Sequence, residues 1–238
     1  MKTLNRLLLI IGLNFFFAGH AVSQQCDPWL PLQEGNEFTH VSYDKKDKQS
    51  SKAVSKVTEA KNNADGSLEV KITGEAFDHK DKPLVAIDYV AKCQDGNLMV
   101  QMGSTFLNAE QMKDYQEMDI SIEEDFLDLP NNPSVGSELK NGVMVVKVEN
   151  NNFPIMTMEI SVTERTIAAQ ESITTPAGTF DCIKITYNIE TVLGKAIPIK
   201  IKGSGAEWYA LGTGIVRSES YDKKGKMIGY TLLTDFKN

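Results

Sequence analysis

Apolar and polar residues alternate along much of this chain with a period of two. In the segment 68–73 the even positions Leu68, Val70 and Ile72 are apolar and the odd positions are polar. The even positions are again apolar in 156–163, and the odd positions in 197–202. Successive side chains of a strand point to opposite faces, so these segments predict strands with one buried and one solvated face. This pattern is typical of antiparallel sheets, because parallel strands are usually buried on both faces.

Further segments with strand character run through the rest of the chain. They are 37–43, 53–61, 84–93, 98–102, 143–149, 167–175, 180–191, 206–210, 214–221 and 227–235. Turn-forming pairs such as Asp65-Gly66 and Asn141-Gly142 separate several of them. The sequence therefore predicts a mainly β protein built on a large curled antiparallel sheet, either a half-open barrel or two packed sheets.

One segment is predicted to be a short helix, over residues 108–118. It holds good helix formers without Gly or Pro, and Met112, Tyr115 and Met118 recur on one face. A structured loop is the alternative. The Pro and Asn residues of the segment between Pro130 and Pro133 predict a connector. We therefore expect a single β-rich domain over 24–238 with two halves, 24–128 and 134–238.

The first 23 residues have the three parts of a secretory signal peptide. Lys2 and Arg6 precede an apolar stretch from Leu7 to Ala18, and small residues follow at 21 and 23. An uncleaved anchor is disfavoured because the apolar stretch is shorter than the roughly 20 residues that span a membrane. A lipoprotein signal ending at Cys26 is also disfavoured, because small residues do not precede Cys26. We expect a periplasmic or secreted protein with no membrane span after cleavage.

Composition and charge narrow the function classes. The 238 residues are 41% hydrophobic and 24% charged, which is typical of a globular protein. The formal net charge of −7 argues against a nucleic-acid partner, which would require clustered Lys and Arg on one face.

Three cysteines remain after signal removal, and export would place them in an oxidising compartment. We predict a disulfide between Cys26, near the mature N-terminus, and Cys93, at the end of a strand. Cys182 lies within an apolar strand pattern and is predicted to be a buried free thiol. The alternative is that all three are free, since an odd number cannot pair completely.

A short motif occurs three times, at 43–48, 77–82 and 221–226. Each copy is an aromatic residue followed by Asp and a lysine-rich turn, as in Tyr43-Asp-Lys-Lys-Asp-Lys. The Asp side chain can accept hydrogen bonds from backbone N–H groups of the turn, and Gly225 can adopt a positive φ. We interpret the motif as a hairpin turn used three times. A cationic binding site is the alternative.

Signatures of catalysis or metal binding are weak. His40 and His79 have no Cys or His at ligand spacing, and no G-x-S-x-G sequence occurs. Gly203-Ser-Gly205 is interpreted as a bulge or strand bend rather than a phosphate loop. The acidic stretch 110–128 lacks the spacing of a calcium loop, and no particular carboxylate pair is marked for glycoside chemistry. We predict no cofactor, no metal and no catalytic residues.

The segment 207–216 is the most distinctive of the chain. Trp208 and Tyr209 should point to opposite faces of one strand, and Gly212 and Gly214 permit a tight reversal. A Trp that fills the core beside this turn is favoured over a Trp that serves as a ligand platform.

Several segments together resemble a known family. They are Cys26, Tyr43-Asp-Lys-Lys, Tyr89-Val-Ala-Lys-Cys93, Thr175-Pro-Ala-Gly-Thr-Phe-Asp-Cys182, Glu207-Trp-Tyr-Ala210 and Val216-Arg-Ser-Glu-Ser-Tyr-Asp-Lys-Lys-Gly-Lys226. With these the chain resembles the TapB-like exported proteins of Bacteroidota, a periplasmic β-rich family of unknown function. The resemblance implies an envelope or secreted β-rich domain and supplies no catalytic residues.

Three functional hypotheses follow. The first is a non-enzymatic envelope protein that binds an apolar ligand, a lipid or a protein partner on a concave sheet face, with Tyr187 and Trp208 as candidate residues of that face. The second is a structural or assembly factor of the envelope that acts through sheet edges and hairpin tips. The third, a hydrolase, is the least favoured.

Overall fold

The computed structural model describes residues 26–94, 96–107, 115, 117–194 and 197–237. Its strands are β1 (Glu37–Asp44), β2 (Gln49–Asn62), β3 (Leu68–Asp78), β4 (Pro83–Gln94), β5 (Asn97–Gln101), β6 (Asp119–Glu124), β7 (Phe126–Pro130), β8 (Gly142–Asn150), β9 (Phe153–Thr175), β10 (Gly178–Leu193), β11 (Ile199–Ala210), β12 (Gly214–Asp222) and β13 (Met227–Lys237). The helix α1 spans Gly103–Phe106.

All thirteen strands form one antiparallel sheet that is nearly closed into a barrel. The strand order is β6-β8-β9-β10-β11-β12-β13-β1-β2-β3-β4-β5-β7. The predicted mainly β fold is confirmed, and of its two forms the structure adopts the half-open barrel. Among the described residues, no helix is long and apolar enough to cross a membrane.

Two predictions fall largely outside the described residues. The signal peptide at 1–23 lies outside them entirely, as do residues 108–114 and 116 of the predicted helix. The helix that the structure describes, α1, comes just before that segment. Tyr115 and Met118, two residues of the predicted apolar face, are partly buried against the main core.

The two edge strands of the sheet are consecutive in the chain. Asp125 alone separates β6 from β7, and its backbone N–H donates to the carbonyl of Val143 at 3.0 Å. Since β6 pairs with β8 while β7 pairs with β5, this short stretch passes from one edge of the sheet to the other edge. The barrel is therefore closed by a change of strand partner at one residue.

A buried arginine joins the two sides of this seam. Arg165 of β9 is only 4% exposed and donates from one guanidinium nitrogen to Asp128 Oδ1 (3.0 Å) and to the Lys140 carbonyl (2.7 Å). The other nitrogen donates to the Asp128 carbonyl at 3.1 Å. Glu164, with a positive φ of 53°, precedes it at an irregularity in the β9–β10 register. A bulge in β9 thus directs the guanidinium into the seam.

The apolar residues of the alternating segments form one main core on what we call the inner face. It is lined by buried side chains from both halves of the chain, among them Val57, Ile72, Leu98, Met144 and Ile185. The segment before β1 contributes Trp29, whose indole N–H donates to the Pro130 carbonyl at 3.1 Å. Side chains therefore fill the inner face along much of its length.

The predicted disulfide between Cys26 and Cys93 is confirmed, and Cys182 is a buried free cysteine. The bridge has a Cα–Cα distance of 5.7 Å and ties the segment before β1 to the end of β4. A sulfur atom in a disulfide cannot also carry a thioether-linked lipid. The bridge is therefore consistent with the expectation that no lipoprotein signal ends at Cys26.

We expect Cys26→Ser to destabilise the protein under non-reducing conditions. The bridge spans 67 residues, and a loop of that length lowers the entropy of the unfolded chain by an amount equivalent to about 4 kcal/mol. Thermal unfolding should show a melting temperature roughly 10 °C lower. Wild-type protein in reductant should unfold like the variant, and an unchanged melting temperature for Cys26→Ser would contradict this prediction.

We also expect Arg165→Met to open the seam. Removing one partner of a buried ion pair leaves the others without their hydrogen bonds, at a cost of about 3 kcal/mol in unfolding free energy. The control is Lys147→Met, which breaks the exposed pair with Glu123 and should cost under about 1 kcal/mol. Urea denaturation measures both, and equal losses would show that Arg165 does not hold the seam.

Candidate functional site

The structure places the two candidate concave-face residues on opposite faces of one strand pair. In the β10–β11 register Tyr187 is opposite Gly205, whereas Trp208 is opposite Lys184. Directly paired residues share a face, so Tyr187 points with Ile185 into the main core. Trp208 belongs to a second, smaller cluster on the outer face. The structure therefore does not bring these two residues together.

Trp208 is buried beneath charged side chains. Its indole N–H donates to Glu171 Oε1 at 2.6 Å, the Lys184 ammonium lies 4.6 Å from the ring centroid, and the Arg217 guanidinium lies 5.8 Å from it. The ring also packs with Cys182, whose thiol has a pKa raised to about 11 by burial. These contacts match the interpretation of Trp208 as a packing residue.

Tyr187 belongs to a buried polar cluster that was not predicted. Its hydroxyl donates to Glu207 Oε1 at 3.1 Å, and the Tyr209 hydroxyl donates to Glu207 Oε2 at 2.7 Å. Burial raises the pKa of the Glu207 carboxyl above its ordinary value, while the hydrogen bond from Tyr209 and the charge of Arg165 oppose this effect. The only sequence signal was an acidic residue beside Trp208, which is common on solvated strand faces.

A perturbed carboxyl in a cleft is a candidate active site, but this one is enclosed. Glu207 is 4% exposed, Tyr209 is 6% exposed, and Tyr187 also packs edge-to-face against Phe106 at 5.4 Å. Among the described residues, no group of three or more His, Cys, Asp or Glu side chains could hold a metal ion. The cluster is best explained as a buried hydrogen-bond network of the core.

The two most exposed large apolar side chains of the described residues and the three lysine-rich motifs lie instead at one end of the sheet. Successive hairpins of an antiparallel sheet turn at alternate ends. The turns β1–β2, β3–β4, β8–β9, β10–β11 and β12–β13 therefore lie at one end, which we call the tip end. The opposite end, which we call the disulfide end, holds Cys26, Cys93 and the turns β2–β3, β9–β10 and β11–β12.

Two neighbouring hairpins of the tip end expose large apolar side chains. Phe153, at the start of β9, is 74% exposed, and Ile197, in the β10–β11 connection, is 86% exposed. Ile199 and Ile201 of β11 are 61% and 54% exposed. Because β12 reaches only as far as Gly203, the stretch Ile199–Lys202 pairs with β10 alone and extends past the end of β12.

The other three hairpins of the tip end are the three copies of the lysine-rich motif. In each, one Asp oxygen accepts hydrogen bonds from the backbone N–H groups two and four residues later, at 2.7–3.0 Å, for Asp44, Asp78 and Asp222. These hydrogen bonds hold the pKa of each Asp below its ordinary value. Asp47, Asp81 and Gly225 occupy the equivalent positive-φ position. The hairpin-turn interpretation is confirmed.

We expect Glu207→Gln to change how stability depends on pH. A raised pKa means that the folded state binds more protons, so wild-type stability falls as the pH rises above the ordinary value of 4.5. Glutamine cannot ionise, and the variant should gain about 1.4 kcal/mol on the wild type for each unit of the shift. Denaturation of both proteins between about pH 4 and pH 7 measures the difference in their free energies of unfolding.

The matched control is Glu190→Gln, because the contribution of Glu190 to stability changes with pH in the opposite direction to that of Glu207. Hydrogen bonds from Lys202 and Lys200 lower the pKa of Glu190 in the folded state. The stability that Glu190 contributes is therefore present at pH values above its ordinary pKa and is lost as the pH falls. A gap between wild type and Glu207→Gln that stays constant with pH would show that Glu207 is not desolvated.

Comparison with known proteins adds relatives but no activity. The DUF3108-like family model matches residues 33–233. A crystal structure of a candidate lipoprotein from Parabacteroides distasonis is 29% identical, with a TM-score of 0.77, and covers 90% of this chain and 100% of its own. A crystal structure of a candidate exported protein with a YmcC-like fold from Bacteroides fragilis is 31% identical, with a TM-score of 0.75 and the same coverages. No curated protein matches the chain.

These similarities support the predicted resemblance at the level of family and fold, and they are consistent with an envelope location. The TapB-like assignment itself stays a prediction. The family match covers nearly all of the described sheet, from just before β1 to within β13. The chain belongs to the DUF3108-like family.

Proposed function

We propose that this protein is a non-enzymatic component of the cell envelope that binds a lipid surface with the tip end of its sheet. The observation that carries the proposal is the exposure of Phe153 and Ile197 on two adjacent hairpins of that end. Clustered apolar side chains in contact with water mark interaction sites more often than they mark chance exposure. Export, which the relatives of the chain suggest, would bring these side chains to a membrane.

The geometry favours contact with a surface over enclosure of a ligand. The inner face is occupied by buried side chains such as Val146, Val162 and Leu233, which pack against one another in the main core. The exposed apolar side chains lie instead at the margin, where Ile199 and Ile201 continue the alternation of β11 past the last residue of β12. A flat apolar phase would cover these side chains without any rearrangement of the barrel.

A second candidate function is supported by the free edge of β11. Over Ile199–Lys202 one side of the strand has no β partner among the described residues, so a partner protein could add an extended segment there. This corresponds to the assembly-factor hypothesis. Site-directed photo-crosslinking from position 200 in cells distinguishes it, because a captured protein rather than lipid would support it.

We expect the double variant Phe153→Ser/Ile197→Ser to bind lipid vesicles at least tenfold more weakly. Burying each of these side chains contributes about 1.5–3 kcal/mol, so losing both should be plainly measurable. Flotation of the mature protein with vesicles of phosphatidylethanolamine and phosphatidylglycerol is the assay. The control is Leu211→Ser, which removes a side chain that is 54% exposed at the disulfide end.

Wild-type protein that fails to float would reject the proposal, as would a double variant that floats as well as the wild type. Equal losses in the double variant and in Leu211→Ser would reject a specific role for the tip end. The thermal unfolding of all three proteins should be the same within error, because none of the substituted side chains belongs to the core.

A further inference from the structure

The lysines of the tip end form one rim, although their motifs are far apart in the chain. The hairpins β12–β13, β1–β2 and β3–β4 are consecutive in the sheet because β13 pairs with β1. Neighbouring strands lie about 4.8 Å apart, so successive turns are roughly 10 Å apart along the rim. The three copies of the motif, at 43–48, 77–82 and 221–226, therefore stand side by side.

The rim is positively charged in an acidic protein. The three turns carry eight lysines and five aspartates, a net charge of +3, in a chain with a formal net charge of −7. The lysines are Lys45, Lys46, Lys48, Lys80, Lys82, Lys223, Lys224 and Lys226, and all are exposed. The rest of the chain is correspondingly more acidic, so the charges are separated between the rim and the remaining surface.

The aspartate side chains of the rim are engaged within the protein, whereas its lysine side chains form no salt bridge with any residue that the structure describes. Asp44, Asp78 and Asp222 accept hydrogen bonds from their own turns. Asp47 accepts one from the Tyr230 hydroxyl at 3.0 Å, and Asp81 pairs with Lys52 at 2.5 Å. In the described part of the chain none of the eight lysines forms a salt bridge, although lysines elsewhere, such as Lys56 and Lys92, do.

The lysine turns adjoin the apolar hairpins along the same end of the barrel. The order of turns along the rim is β8–β9 and β10–β11, which expose Phe153 and Ile197, followed by the three lysine turns. A bilayer surface offers both an apolar phase and a layer of anionic headgroups, which match the apolar hairpins and the lysine turns of this row respectively.

We infer that the lysine rim binds the phosphate groups of an anionic membrane surface, and that it sets the orientation and lipid preference of the docking proposed above, on which this inference rests. Each lysine near such a surface strengthens binding about fivefold. The effect is lost within a Debye length of about 8 Å at physiological salt, so only turns that touch the membrane contribute.

The test is the triple variant Lys46→Gln/Lys80→Gln/Lys224→Gln, which removes one equivalent lysine from each turn. Vesicles of phosphatidylcholine with phosphatidylglycerol, and vesicles of phosphatidylcholine alone, are the probes in a cosedimentation assay. We expect at least tenfold weaker binding to the anionic vesicles, a smaller dependence on salt, and no change with the neutral vesicles.

The matched control is Lys61→Gln/Lys140→Gln/Lys237→Gln, which lowers the net charge equally but at positions away from the rim. It should bind the anionic vesicles like the wild type. An equal loss in both triple variants would overturn the inference, because overall charge rather than the rim would then govern binding. The inference would also be overturned if the triple lysine variant of the rim bound anionic vesicles as tightly as the wild type.

The outcomes separate this inference from the proposed function. If the rim variant binds normally while Phe153→Ser/Ile197→Ser does not, lipid docking stands and the inference falls. If wild-type protein binds neither kind of vesicle, both fall. Binding to a soluble polyanion such as heparin, lost in the rim variant and without any binding to anionic vesicles, would also overturn the assignment to a membrane.

Discussion

The barrel depends on a single seam, at which the chain changes partner between β6 and β7. Neighbouring strands elsewhere are joined by backbone ladders, several of them with bulges, whereas side-chain hydrogen bonds cross this gap. Arg165 supplies three of them from one buried guanidinium, and the bulge at Glu164 places it there. Its charge also reaches Glu207, Tyr187 and Tyr209, which links the seam to the polar cluster inside the sheet.

Closure of the sheet divides the molecule into two ends with different properties. The disulfide end is covered by the segment before β1, where the bridge from Cys26 and the indole of Trp29 tie it to β4 and β7. The tip end carries the eight lysines of the motif, none of which forms a salt bridge within the described part of the chain, and the two most exposed large apolar residues that the structure describes, Phe153 and Ile197. Each of the three lysine turns is braced by an Asp side chain that accepts two hydrogen bonds from the backbone of its turn.

Local patterns in the sequence predicted local structure well. Alternation identified the strands around Leu68–Ile72 and Met156–Val162, and the Asp of each lysine motif predicted its turn, because both depend on neighbouring residues. The described helix, Gly103–Phe106, was not predicted, because four residues are too few for periodicity to reveal, and the helix predicted over 108–118 lies largely outside the described residues. The disulfide could be predicted because export and strand position restricted the choice.

Features that depend on strand order could not be predicted. Nothing local shows that β13 lies beside β1, so the three lysine turns looked like independent repeats until the topology placed them together. Nothing in the local sequence marks Glu207 or Arg165 as buried. Gly205 was interpreted as part of a bulge or strand bend, yet it lies in a regular β10–β11 register, where the ring of Tyr187 occupies the position of a side chain, 2.4 Å from an added Cβ.

The pairing of β1 with β13 also has a consequence for biogenesis. Glu37 lies opposite Lys237, so contacts at the centre of the sheet join residues up to 200 positions apart in the chain. Such non-local contacts form slowly, because a long loop must be closed before they are gained. Until β13 has been synthesised, β1 lacks one of its two ladders, and its unpaired edge is open to aggregation.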